Sequence, residues 1–340
     1  MEKQVFLIGS YAPKGTPSVW EAQLDCIHGT LSAEPLSCEA ENPSWILLHP
    51  DGRTLYAVEE LVPAGRLAVM KKEGGRWYTV LRLPAGSAPC HLETDGRGEY
   101  LLCSNYMDGT LQVFRIGSDG IPEAETDVIR HSGSGPNRER QESAHIHSAW
   151  FHGGKVYSAD LGLDRVSVMK LDRENGKLTV ISEWQLPPGS GPRHIAFHRN
   201  HPNRGYVLGE LNGRVYVLDL QTGEIVQELS AVPENWSEPF RASSVRFTGN
   251  TLYTGTRECN VISIFSLRED GTLSRPVICP HRQQTPRDVW MNDDWCITAD
   301  EGSCCLTLLR REGSQLTEQM TVPTGEAHPT CILPWFPPQG

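Results

Sequence analysis

The apolar positions of this chain fall in short, alternating runs separated by turn residues, and long helical periodicities are few. That pattern predicts strands from end to end and an all-β fold. The runs also recur in a fixed order. A short strand begins just after each of seven anchors, Pro43, Pro89, His145, Pro192, Arg241, Pro286 and Pro329, and their spacing of roughly 43 to 56 residues is close to that of propeller blades. A second strand follows six of them, at 55–59, 101–105, 156–160, 206–210, 252–256 and 296–300, and another such strand, 5–10, stands before any anchor. A third recurs near Val19, Leu67, Leu111, Val166, Val215, Ile262 and Leu306, closed by turns at Gly29, Gly74, Gly120, Gly176, Gly223, Gly271 and Gly313. Seven such repeats predict a seven-bladed β-propeller. A second strand without a first at one end and a first without a second at the other, 329–333, are expected to pair in one blade and close the ring. Residues 1–340 read as one propeller domain, and an insertion at 128–142 accounts for the longest spacing.

Charge narrows the partners. The 340 residues carry 31 Lys+Arg against 42 Asp+Glu, a formal net charge of −11, so no nucleic acid or anionic membrane is expected as partner, since both need a basic face. The 32 Gly and 24 Pro fit a turn-rich fold. No apolar run approaches the roughly 18 residues of a membrane span, and the apolar stretch 5–8 is short for a signal peptide, which predicts a cytoplasmic protein. The ten cysteines are scattered without a Cys-x-x-Cys pair, as expected of reduced, mostly buried thiols.

Antiparallel pairing puts the start of a first strand and the end of a second at the same end of a blade, and the first strands of a propeller line its channel. Residues at those positions therefore converge on one channel mouth. They include His91, His147, Arg193, His194, Arg287 and Asp288 at strand starts, with the anchor His145, and Asn105, Asp160, Glu210 and Arg257 at second-strand ends. Solubility alone accounts for a single polar strand end. A ring of His, Arg and carboxylates around a concave mouth is what a small-molecule site requires.

The motifs resemble those of the seven-bladed lactonase family, which includes bacterial 6-phosphogluconolactonase and 3-carboxy-cis,cis-muconate lactonizing enzyme. The resemblance spans essentially the whole chain. It is carried by Ile8-Gly9-Ser10-Tyr11, Glu41-Asn42-Pro43-Ser44, Asn105-Tyr106, Gly135-Pro136 with Arg138 and Gln141, and His145-Ile146-His147-Ser148. It continues through Asp160-Leu161-Gly162, Gly191-Pro192-Arg193-His194, Gly209-Glu210-Leu211, Arg257 and Thr285-Pro286-Arg287-Asp288. It implies hydrolysis of a sugar lactone, 6-phosphogluconolactone first among them, in the pentose phosphate pathway, with His147, Arg193, Glu210 and Arg257 as the catalytic set. A lactonizing enzyme acting on a carboxymuconate is the alternative within the family. A non-catalytic binding propeller is the alternative outside it.

Lactone hydrolysis needs an activated water, a stabilised oxyanion and a proton for the departing ring oxygen. Either His147 or Glu210 can be the base; Arg193 and Arg257 suit the oxyanion or a bound phosphate or carboxylate. His91, Asn105, His145, Asp160, His194, Arg287 and Asp288 are the expected substrate-binding residues. In the insertion, Arg140 reads as solvated and Arg138 as open to reach a phosphate. His145 and His147 share a strand face but lack convergent further ligands, so no metal site is expected, and no cofactor. Cys304 and Cys305 read as strand neighbours facing opposite sides, and Ser44 and Ser148 lack the Gly-x-Ser-x-Gly elbow of a serine hydrolase. A monomer or small homo-oligomer is expected.

Overall fold

Each repeat folds as a four-stranded antiparallel sheet, and the computed structural model of the protein, which describes residues 3–335, holds seven of them. No helix occurs among the described residues. The first and second strands of blades 2 to 7 are, in order, Ile46–Leu48 and Thr54–Glu59, Pro89–Thr94 and Tyr100–Asn105, Ile146–His152 and Lys155–Asp160, Pro192–His198 and His201–Gly209, Ala242–Thr248 and Thr251–Thr256, and Pro286–Met291 and Trp295–Asp300. In blade 1 the first strand is His328–Trp335 and the second is Lys3–Tyr11, with Leu7 opposite Leu333, Ile8 opposite Ile332 and Gly9 opposite Cys331. The ring closes between the two ends of the chain, as the repeat order predicts.

The core is a set of layers between blades. Phe6 and Ile8 pack with Trp290, Ile297 and Leu306 of blade 7, whereas Leu7, between them, packs with Ile46, Leu55 and Ala57 of blade 2. Successive residues of a strand point to opposite faces, so a second strand feeds two layers at once. Thr54–Glu59, Tyr100–Asn105 and Trp295–Asp300 are accordingly buried at every position, without the alternation expected of them. Outermost strands such as Gln315–Pro323 do alternate, because only one face is covered. All seven turn glycines named above have positive φ, between 55° and 81°, a conformation other residues enter at a cost.

Several boundaries differ from the repeat reading. The first strands of blades 3, 5 and 7 begin at the anchors Pro89, Pro192 and Pro286 themselves, whereas those of blades 4 and 6 begin just after His145 and Arg241 as expected, and residues 128–130 complete the strand Pro122–Arg130, so the insertion begins at 131.

A bulge recurs at the start of the first strand. Pro89 pairs with Asn105 and His91 with Ser104, which leaves Cys90 over; the same slip leaves over His147, Arg193 and Arg287 in blades 4, 5 and 7. Thr330 occupies this position in blade 1, and Ser243 and Ser244 share it in blade 6. Just upstream, Asn42, Ala88, Gly191, Arg241 and Thr285 have φ of 47° to 60°. Their carbonyls accept the backbone N–H of Glu60, Tyr106, Glu210, Arg257 and Glu301, the residues just past the second strands. In blades 3, 5, 6 and 7 the bulge and the tied post-strand residue thus stand together at one end.

Gly9 tests how tightly the closing blade sits on blade 2. A Cβ there would fall on the Pro43 carbonyl oxygen and 3.3 Å from Ile46 Cγ2. Gly9→Ala is expected to cost about 1–3 kcal/mol by overpacking, read as a lowered urea midpoint with an unchanged m-value.

Candidate active site

The bulged and post-strand residues meet at the channel mouth around one carboxylate. Glu210, with only 2% of its surface exposed, accepts a hydrogen bond from Arg140 Nη2 at 2.6 Å. Its Oε2 lies 2.9 Å from Arg257 Nη2, 3.1 Å from Arg193 Nε and 3.9 Å from His147 Nε2. The Arg193 and Arg257 nitrogens stand at ion-pair distance without an aligned hydrogen bond to any group. Burial would raise the Glu210 pKa, but the guanidinium charges of Arg257, Arg193 and Arg140 outweigh it and hold the carboxyl well below its usual range. It is a carboxylate at any working pH. Burial, and then repulsion from Arg257, pushes Arg193 down to about 10 despite its attraction to Glu210. Burial and the nearby Arg193 charge lower the His147 pKa well below 6.5, so its imidazole is neutral.

A second group faces the first across the mouth. Arg287 donates to Glu301 Oε2 at 3.0 Å and to the Tyr11 hydroxyl at 2.9 Å, and Tyr11 in turn donates to Glu60 at 2.7 Å. Ser44 donates to the same Glu60 oxygen. Burial opposes the Arg287 charge, but Tyr11, Glu301 and Glu60 more than compensate and raise its pKa. A cavity of about 270 Å³, walled by Arg257, Arg287, Glu301 and His328, opens between the two groups. A larger one, about 700 Å³, lies by blades 1 and 2, where Arg66 and Arg82 are already spent on the buried Glu59.

The other expected site residues divide by strand parity. Asn105 and Asp160 end their second strands facing into the blade, so they are not mouth residues. Asn105 bonds Gly86 N, Thr110 and Gln112; Asp160 accepts from His145 N at 2.9 Å and pairs with His131 at 2.7 Å. Asp288 is taken by Arg246 and Ile332 N. His91 and His194 lie among Trp45 and Trp150, with ring centroids 4.4–5.9 Å from the indoles. His194 also stands 5.4 Å from His147. His145 stacks flat on Tyr106 at 4.3 Å and supports it from behind. In the insertion the roles reverse: Arg138 is exposed, and Arg140 reaches Glu210.

Tyr106, Tyr11, Glu60 and Arg140 were not singled out as site residues. Tyr106 and Glu60 occupy the post-strand position also held by Glu210 and Arg257, and Tyr11 ends the second strand of blade 1, a signal that aligning the blade ends would have exposed. No group of three or more His, Cys, Asp or Glu that could hold a metal ion occurs among the described residues.

The comparisons with known proteins bear on the whole chain. The family model described as "Lactonase, 7-bladed beta-propeller" matches residues 5–334. A protein of Bacillus subtilis named 6-phosphogluconolactonase is 28% identical over 98% of each chain. A solved structure of a protein from Lactobacillus plantarum superposes with a TM-score of 0.88 at 25% identity, covering 98% of this chain and 99% of the other. The periplasmic gluconolactonase PpgL of Pseudomonas aeruginosa superposes with a TM-score of 0.89 at 23% identity over 99% and 100% of the two chains, which shows a shared fold.

Burial lowers the pKa of His91 and His194 as it does that of His147, with Arg193 adding to the effect. As pH falls below 6.5 the unfolded chain takes up protons at these positions that the folded chain refuses, so stability falls by about 1.4 kcal/mol per pH unit for each histidine. Glu93, which burial raises to about 8, works in the opposite sense and offsets about one of the three. Urea unfolding at pH 7 and 5.5 should show a net loss at the lower pH. His91→Phe should shrink that loss by one histidine's share; an unchanged pH dependence in the variant would refute the assignment.

Proposed function

The chain belongs to the seven-bladed β-propeller lactonase family, a lactone-hydrolysing enzyme, and on that premise we propose that it opens a sugar lactone, 6-phosphogluconolactone foremost, at the mouth around Glu210. The observation that carries this reading is a neutral, buried imidazole beside a carboxylate ringed by three guanidiniums. In this reading His147 is the base. It takes a proton from water as the water oxygen bonds to the lactone carbonyl carbon. Arg193 Nε and Arg257 Nη2, not aligned on Glu210, meet the oxyanion that forms. When the ring C–O bond breaks, the imidazolium returns its proton to the departing oxygen, and the products are an acid and a hydroxyl on one open chain.

Glu210 is too firmly ionised to serve as that base. It steadies the imidazolium and fixes the guanidiniums. The surplus of cations over carboxylates around Glu210 favours an anionic substrate, consistent with the name of the Bacillus subtilis relative. All ten cysteines are free and seven are buried, which supports a reducing compartment such as the cytoplasm.

Turnover of freshly made 6-phosphogluconolactone and of unphosphorylated gluconolactone, each corrected for spontaneous opening, tests the activity; rates equal to the uncatalysed ones on both would overturn it. His147→Gly should lower kcat by about 10²–10⁴-fold and regain activity with added imidazole. Full activity without imidazole would place the base elsewhere.

A further inference from the structure

Three guanidiniums share Glu210, and they are not equivalent. The side chains of Arg193 and Arg257 are 5% and 11% exposed and come from the ring itself, whereas that of Arg140 is 32% exposed and comes from the insertion. Arg140 engages the protein through Nη2 alone, giving to Glu210 Oε1 at 2.6 Å and to the Tyr106 hydroxyl at 3.3 Å. A guanidinium offers five N–H donors in a planar fork, so Nε and Nη1 are left for a ligand arriving from the solvent side.

The insertion presents that fork at a fixed place. Its next residue, Gln141, is fully buried, donating to Leu161 O at 2.8 Å and to Asp164 Oδ1 at 2.7 Å while accepting from Asn137 N at 3.1 Å. Arg140 N is held by Asn137, and Gly135 packs so closely that a Cβ would stand 2.7 Å from Gln141 Cδ. A solvated loop has no use for a fully buried glutamine with this many bonds.

Resting on the lactone-hydrolase reading, we propose that Arg140 is the specificity residue of the mouth. It reads the phosphate of a phosphorylated lactone from the solvent side while Arg193 and Arg257 stay with the reacting carbonyl. Arg193 and Arg257 already flank Glu210, so Arg140 can shift toward an incoming dianion without stranding a buried carboxylate. A planar fork suits a phosphate, which accepts two parallel hydrogen bonds from it.

The test is the ratio of kcat/KM for 6-phosphogluconolactone to that for gluconolactone. Arg140→Gln should lower this ratio about ten- to a hundredfold, the worth of one charge-assisted pair, whatever it does to either rate alone. Arg138→Gln removes the same charge two residues away and should leave the ratio as it was. Equal losses on both substrates, or the same drop from Arg138→Gln, would overturn the proposal, the first making Arg140 a mere support for Glu210 and the second leaving only long-range charge. Calorimetric binding of 6-phosphogluconate against gluconate reads the same residue without turnover. If the parent protein hydrolyses neither lactone yet Arg140→Gln still loses its preference for the phosphorylated acid, the activity assignment falls and the phosphate site stands. No preference in the parent sinks the site itself.

Discussion

One extra residue at the start of the innermost strand shapes the functional end of this propeller. A regular strand would send alternate side chains into the two layers beside its blade, and both layers are already filled with apolar groups. The bulge frees one residue from that alternation, so His147, Arg193 and Arg287 project into the mouth while the ladder resumes behind them. The chain enters the kinked strands of blades 3, 6 and 7 through left-handed backbone at Ala88, Arg241 and Thr285, a cost of order 1–3 kcal/mol each for residues with a side chain. The repeated bond from the post-strand N–H to the same residues' carbonyls offsets it.

Charge at the mouth is organised from the carboxylate outward. A lone buried Glu would take up a proton and a lone buried Arg would be costly to desolvate. Brought together, Arg193, Arg257 and Arg140 keep Glu210 ionised, and Glu210 keeps two of them indoors. His147 stays neutral in that company because burial disfavours its charge and Arg193 repels a proton more than Glu210 attracts one. The environment therefore separates a fixed anion from a free base, using two residues that are equally plausible bases on paper.

The architecture was legible because blade repetition is written in the spacing of turns: the glycines at 29, 74, 120 and onward, and a strand order that ends where it should begin. The parity of the mouth was not. Asn105 and Asp160 are the terminal residues of their strands, yet the residue after each lies at the mouth end, and nothing in the local pattern of polar and apolar residues marks that one-place shift. Arg140 was out of reach by periodicity, since a loop has none; its place follows from the burial of Gln141, and Gln is not a residue whose burial composition foretells.

The seam of blade 1 joins the first and the last strands of the ring. Lys3–Tyr11 precedes the other strands of the ring and pairs on one side with Val19–Asp25, but its other side is met only by His328–Trp335, which follows them all. Without that partner it is an apolar edge with unpaired backbone groups, the kind that recruits strands from neighbouring chains. Tyr11 and Arg287 also touch across this part of the ring. A ring opened at this seam would expose an adhesive edge and part Tyr11 from Arg287, so closure of the ring and completion of the mouth are one event.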